Sequence, residues 1–127
     1  MLASRIGRLV QLVGDDLFAT DVARVERGVQ FASANAVLVK VNQVGTFTEA
    51  LRVVQRARDV KWRSVVSARS GETEDSWLAD LPVGCGARQI KVGSVTRSSR
   101  LAKWNQLLRI EEELGPEAYL GAAGLEP

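Results

Sequence analysis

The stretch Ala36-Val37-Leu38-Val39-Lys40-Val41-Asn42-Gln43-Val44-Gly45-Thr46-Phe47-Thr48-Glu49 decides the fold. Its first part, residues 36–41, is apolar and rich in valine, which predicts a strand. Thr46 stands three residues before Glu49, a capping-box pattern that opens a helix. Beyond it, Phe47, Ala50, Leu51 and Val54 recur at helical spacing. The local unit is therefore a strand followed by a helix.

Working outward, residues 9–13, 64–67 and 89–92 are short runs of the same kind, each followed by a polar or glycine-bearing segment. Val22, Val25 and Val29 predict a helix after the first run. Leu101, Trp104 and Leu108, with Leu107 and Leu114 on an adjoining track, predict a closing amphipathic helix that Gly115-Pro116 stops. Strands separated by helices pair in parallel, because each crossover returns the chain in the same direction, and such strands are buried on both faces. The expected class is α/β with a parallel sheet. Pro82 lies within residues 77–83, where it removes a backbone donor and crowds the preceding turn, so that helix is expected to be kinked or split. Residues 116–127 offer little to bury and are expected to fray.

A chain of 127 residues holds one compact domain, and its 46% hydrophobic and 25% charged residues suit a folded globule. Lys plus Arg number 17 and Asp plus Glu 15, giving a net charge of +2, with the charges scattered. Such scatter argues against a nucleic-acid stripe. Histidine is absent, which excludes Ser-His-Asp and Cys-His catalysis and His-ligated zinc. Cys85, the single cysteine, has no partner for an internal disulfide and suits a reducing compartment. No apolar run reaches the ~20 residues that cross a bilayer, and no signal-peptide core opens the chain. A soluble, cytoplasmic chain without membrane insertion is expected.

The polar residues fall in a pattern. Asp15 and Asp16 follow the first run, Lys40 lies near the end of the second, Arg69 and Ser70 follow the third, and Lys91 closes the fourth. In parallel α/β architectures the C-terminal strand ends face a common crevice, so these residues are expected on one rim. A carboxylate, two ammoniums, a guanidinium and a hydroxyl suit a metal ion holding an anionic, phosphorylated substrate. Each also has a plain structural reading: Asp15 as a turn residue, Arg69 as a surface arginine, Lys91 as a lysine beside a glycine turn. Lys40 is harder to explain so, because an apolar run desolvates it unless a partner or a functional cavity receives it. Ser70-Gly71-Glu72-Thr73 reads as a glycine turn leading into a helix, with Glu72, Glu74 and Asp75 favouring that helix start.

These segments together resemble the C-terminal part of enolase, the phosphopyruvate hydratase family. The likeness is carried by Val13-Gly14-Asp15-Asp16-Leu17-Phe18, Leu38-Val39-Lys40-Val41-Asn42-Gln43-Val44-Gly45, Arg69-Ser70-Gly71-Glu72-Thr73-Glu74-Asp75, Gln89-Ile90-Lys91-Val92-Gly93 and Asn105-Gln106-Leu107-Leu108-Arg109-Ile110-Glu111-Glu112-Glu113, in that order. The resemblance implies the last four strand-helix units of a TIM-like (β/α) barrel over residues 1–127, hence an incomplete barrel. It implies a lyase of glycolysis that dehydrates 2-phosphoglycerate to phosphoenolpyruvate with Mg²⁺. Lys40 is then the base that removes the carbon-bound proton, and Asp15 a metal carboxylate at the substrate. Arg69 and Ser70 hold the phosphate, and Lys91 pairs with the substrate carboxylate.

The chain departs from the family pattern at Ala68, where Ser-His-Arg-Ser-Gly-Glu has histidine, and at Val92, where Lys-Thr-Gly has threonine. A complete family member carries its other metal carboxylates and its general acid upstream of this region. Four units leave open sheet edges and half a packed interior, so the chain alone is expected to be inactive or weakly active and to bind Mg²⁺ weakly. The same open edges suggest an alternative from another class: a non-catalytic half-barrel module that pairs with another copy, as a homo-oligomeric dimer, or with a missing half.

Overall fold

A computed structural model describes residues 2–125. In chain order the elements are α1 (Leu2–Ile6), β1 (Val13–Gly14), α2 (Val22–Gln30), β2 (Ala36–Val39), α3 (Val41–Val44), α4 (Phe47–Asp59), β3 (Arg63–Ser67), α5 (Trp77–Cys85), β4 (Gln89–Lys91) and α6 (Ser98–Leu114), with 3-10 turns at Pro116–Ala118 and Gly121–Leu125. The strands run parallel in the order β1-β2-β3-β4, in a sheet that is not closed. The α/β class read from the sequence holds. Two compact units divide the chain between Val65 and Val66, within β3.

In the first unit, Val13 pairs with Ala36 and Gly14 with Val37. The expected first strand, residues 9–13, is cut to its last residue plus Gly14. The reason is Asn35, whose carboxamide takes the place of a strand ladder. Its Oδ1 accepts the Leu12 N–H at 2.6 Å, and its Nδ2 donates to the carbonyls of Gly7 at 2.7 Å and Val10 at 3.0 Å. Leu9 and Val10 are consequently exposed. All of β2 is buried, as a doubly covered strand should be, whereas β1 is half exposed.

The second strand also ends earlier than residue 41. The Lys40 N–H leaves the ladder to reach the Thr20 hydroxyl at 2.9 Å, and the Lys40 carbonyl accepts from Gln43 to open α3. Gly45, with φ of 87°, closes that short helix. The capping box is present: Thr46 Oγ1 accepts the Glu49 N–H at 3.2 Å and donates to the Glu49 carboxylate at 2.6 Å. Helix α4 buries Ala50, Val53, Val54 and Ala57, and α2 buries Val25 and Gly28.

The packing centre of this unit is Phe18, almost fully buried and tilted against the Trp62 ring at 5.5 Å between centroids. Its ring lies so close to Gly14 and Gly28 that a β-carbon at either position would overlap it. These glycines are needed for close approach rather than for their backbone angles. Arg56 on α4 reaches Glu26 on α2 at 3.0 Å. That hydrogen bond, ahead of opposing desolvation, together with the charges of Glu26 and Asp59, raises the Arg56 guanidinium above its ordinary range.

In the second unit the Ala68 N–H donates to the Lys91 carbonyl at 2.9 Å, which sets the end of β3 beside the end of β4. Leu78, Ala79, Leu81, Pro82, Ala87 and Val92 are buried. Helix α5 runs through Pro82 and is not split. The carbonyl that proline strands belongs to Leu78, in the helix's first turn, where little regular helix precedes it to be disrupted. α5 begins at Trp77, later than the glycine turn suggested, so Glu72, Glu74 and Asp75 precede it; the Asp75 carboxylate accepts the Trp77 N–H at 3.1 Å.

Helix α6 ends at Gly115, as expected, with φ of 89°. Its burial differs from the amphipathic reading. Lys103 is fully buried, while Leu101, Leu108 and Leu114 are exposed. A stripe of leucines is buried only where another element covers it, and here the covered face is the one that carries Lys103. The Gln89 side chain donates to the Gly124 carbonyl at 2.9 Å and holds the second 3-10 turn. Glu126 and Pro127, the end of the segment expected to fray, lie outside the described residues.

Candidate active site

The sequence places Asp15 one residue past β1 and Lys40 one residue past β2, so strand pairing sets them side by side. The Lys40 ammonium donates to Asp15 Oδ1. The lysine side chain is 11% exposed and the aspartate 40%. A lysine inside an apolar run has thus found the partner that its burial demands.

Lys40 is fixed at its backbone as well. The chain from Asp15 to Asp21 folds back through a turn in which the Asp21 N–H donates to the Phe18 carbonyl at 2.9 Å. The two central residues, Ala19 and Thr20, have φ of 47° and 56°. Both are left-handed, a conformation that disfavours residues with a β-carbon and above all a β-branched one. The cost is offset by what Thr20 then does. Its buried hydroxyl accepts the Lys40 N–H at 2.9 Å and donates to Gln43 Oε1 at 2.7 Å. Asp21 finishes the turn by capping α2, accepting the Arg24 N–H at 2.8 Å.

Thr20 and Gln43 are therefore part of this constellation. Gln43 lies within the motif of residues 38–45, where the sequence assigns it no role, and Thr20 carries no signal, because a left-handed turn without glycine or asparagine has no compositional mark.

In the second unit Arg69 and Ser70 follow β3 in an exposed segment, and Lys91 ends β4, also exposed. The Ala68–Lys91 backbone bond makes these neighbours along the strand ends. The Arg69 N–H is turned toward Glu72 Oε1, at 3.0 Å. Ala68, where the family pattern has histidine, brings no titratable side chain to this rim. The structure thus brings Asp15 to Lys40 within one unit, and the Arg69-Ser70 segment to Lys91 within the other.

Magnesium needs about six oxygen ligands in near-octahedral array. Among the described residues, no group of three or more His, Cys, Asp or Glu side chains gathers that could hold a metal ion. The carboxylate at the candidate site, Asp15, has one oxygen already engaged by Lys40. The described residues do not form a dedicated magnesium cage. No described helix is long and apolar enough to cross a membrane.

The likeness first carried by short motifs extends over nearly the whole chain. The family model for enolase, C-terminal TIM barrel domain, matches residues 1–126, and the chain belongs to that family.

Proposed function

We propose that this chain carries part of a phosphopyruvate hydratase site, with Lys40 as the base that takes the proton from C2 of 2-phosphoglycerate. The observation that supports this most is the position of Lys40: buried, fixed at its backbone by Thr20 and at its ammonium by Asp15, at the C-terminal end of a parallel strand. An ammonium bound to a carboxylate is a proton donor as it stands. To act as a base, Lys40 must first release its proton, and Asp15 then orients the amine.

In the proposed reaction the C2–H electron pair moves into the substrate carboxylate, whose added negative charge Lys91 meets. Arg69 and Ser70 hold the phosphate, the arginine through its planar fork of donors. The enolate then forms the C2–C3 double bond and expels the C3 hydroxyl, which leaves as water once protonated. Phosphoenolpyruvate remains. None of the residues assigned here supplies the acid for that last step, and Asp15 is the lone carboxylate assigned toward a metal. The chain acting alone is therefore proposed to be inactive or very slow.

The test is conversion of 2-phosphoglycerate by the purified chain with Mg²⁺, followed by the absorbance of the enol product. No turnover, or a trace that Lys40→Ala abolishes, is the expected result. A rate near that of a complete enzyme contradicts the proposed inactivity, and a rate that survives Lys40→Ala removes Lys40 as the base.

A second reading, a non-catalytic module that associates with another copy, is favoured by the open sheet and by the exposed Leu101, Leu108 and Leu114 on α6. Sedimentation separates the two: a dimer without turnover favours the module, and a stable monomer opposes it.

A further inference from the structure

We infer that Lys103, on α6, is a positioning residue for the Arg69-Ser70 segment, acting through Glu72. The inference rests on the proposed role of Arg69 and Ser70 in holding an anion, but its physical part can be tested alone.

Lys103 is fully buried. Its ammonium donates to the carbonyl of Thr73 at 2.6 Å and to that of Ser99 at 3.0 Å, and it pairs with Glu72 Oε2 at 3.3 Å. Two of the ammonium's three protons go to the two carbonyls, and the Glu72 carboxylate beside it supplies the opposite charge. Burying a charge is tolerable only when it is paired and hydrogen-bonded, so this lysine is bound to its partners wherever they lie.

One of those partners belongs to α6 itself. The other two belong to Glu72 and Thr73, in the stretch between β3 and α5 that has no helix or strand. Glu72 is bifunctional: while Oε2 faces Lys103, Oε1 accepts the backbone N–H of Arg69 at 3.0 Å. An ion pair followed by a charge-assisted hydrogen bond thus links a buried point on a long helix to the backbone of the residue proposed to meet the phosphate. Local bonds in the segment are weaker: the Glu72 N–H to the Arg69 carbonyl at 3.3 Å, and the Asp75 N–H to Thr73 Oγ1 at 3.3 Å. Without the ammonium, the Glu72 carboxylate loses its anchor and is drawn toward water, and the Arg69 backbone loses its fixed acceptor.

The experiment compares the ¹⁵N-labelled chain with Lys103→Met, Lys103→Gln and Glu72→Ala, by residue-resolved amide exchange and by titration with inorganic phosphate. In both Lys103 variants the Arg69 amide should exchange about tenfold faster while the β4 and α5 amides keep their rates. The phosphate dissociation constant of the folded chain, which global stability alone does not move, should rise several-fold. An unchanged Arg69 amide overturns the inference. If the Lys103 variants do not fold, Glu72→Ala decides through the Lys103 ammonium resonance: faster proton exchange supports the pair, and an unchanged rate overturns it. If the unaltered chain binds no phosphate at Arg69 and Ser70, the anion reading fails, while the exchange rates still decide whether Lys103 holds the segment.

Discussion

The Lys40 ammonium sits on the Asp15 carboxylate, one residue past the ends of two neighbouring parallel strands. Strand pairing fixes how far apart the two backbones lie, and the apolar surroundings of Lys40 make the contact obligatory. The pair is intermediate between an exposed and a buried salt bridge, since the lysine is mostly covered and the aspartate is not. A double-mutant cycle of Asp15→Asn and Lys40→Met, read by urea unfolding, should give a coupling energy of about 1–2 kcal/mol.

Thr20 serves through its hydroxyl and against its backbone preference. Thr20→Val removes the acceptor of the Lys40 N–H and keeps the β-branch in a left-handed position, so a loss of about 2–3 kcal/mol is expected. Thr20→Ser keeps the hydroxyl and sheds the methyl, and should be close to neutral or slightly stabilising. Chemical denaturation of both variants distinguishes the hydroxyl from the side-chain volume.

Two helices end in the same motif with the wrong residue for it. After α2 the Ser33 N–H reaches the Gly28 carbonyl and the Ala32 N–H that of Val29; after α4 the Trp62 N–H reaches Ala57 and the Lys61 N–H reaches Arg58. These are Schellman caps, and their left-handed positions hold Ala32, with φ of 45°, and Lys61, with φ of 60°. Ala32→Gly and Lys61→Gly should each stabilise the chain by about 0.5–1 kcal/mol, after allowing for glycine's greater freedom when unfolded. Thermal melts should show the midpoint rising in both.

With Asp15, the carboxylate assigned to a metal, already engaged by a lysine, and no group of three or more acidic side chains gathered among the described residues, Mg²⁺ should bind this chain no more tightly than about millimolar. Calorimetric titration checks this directly. Lys40→Met frees Asp15 and should strengthen binding by no more than severalfold.

Much of this architecture can be read from residue order because it depends on short-range signals. The strand-helix alternation, the Thr46–Glu49 capping box and the stop at Gly115 each involve neighbours within a few positions, and each is present. Lys40 could be singled out because a charge inside residues 36–41 requires an explanation in any fold. What could not be read depends on partners distant in sequence. Asn35 replaces a strand ladder more than twenty residues away, and the face of α6 that becomes buried is set by what lies against it, which is why Lys103 rather than Leu101 or Leu108 is covered. Pro82 failed to split α5 because its missing bond falls in the helix's first turn.

The proposed function requires that Lys40, Arg69, Ser70 and Lys91 serve one substrate. Titration of the ¹⁵N-labelled chain with 2-phosphoglycerate, followed residue by residue, tests it most directly. Resonances of all four should shift together and saturate along one curve. Shifts confined to one of the two groups, or following different dissociation constants, contradict it.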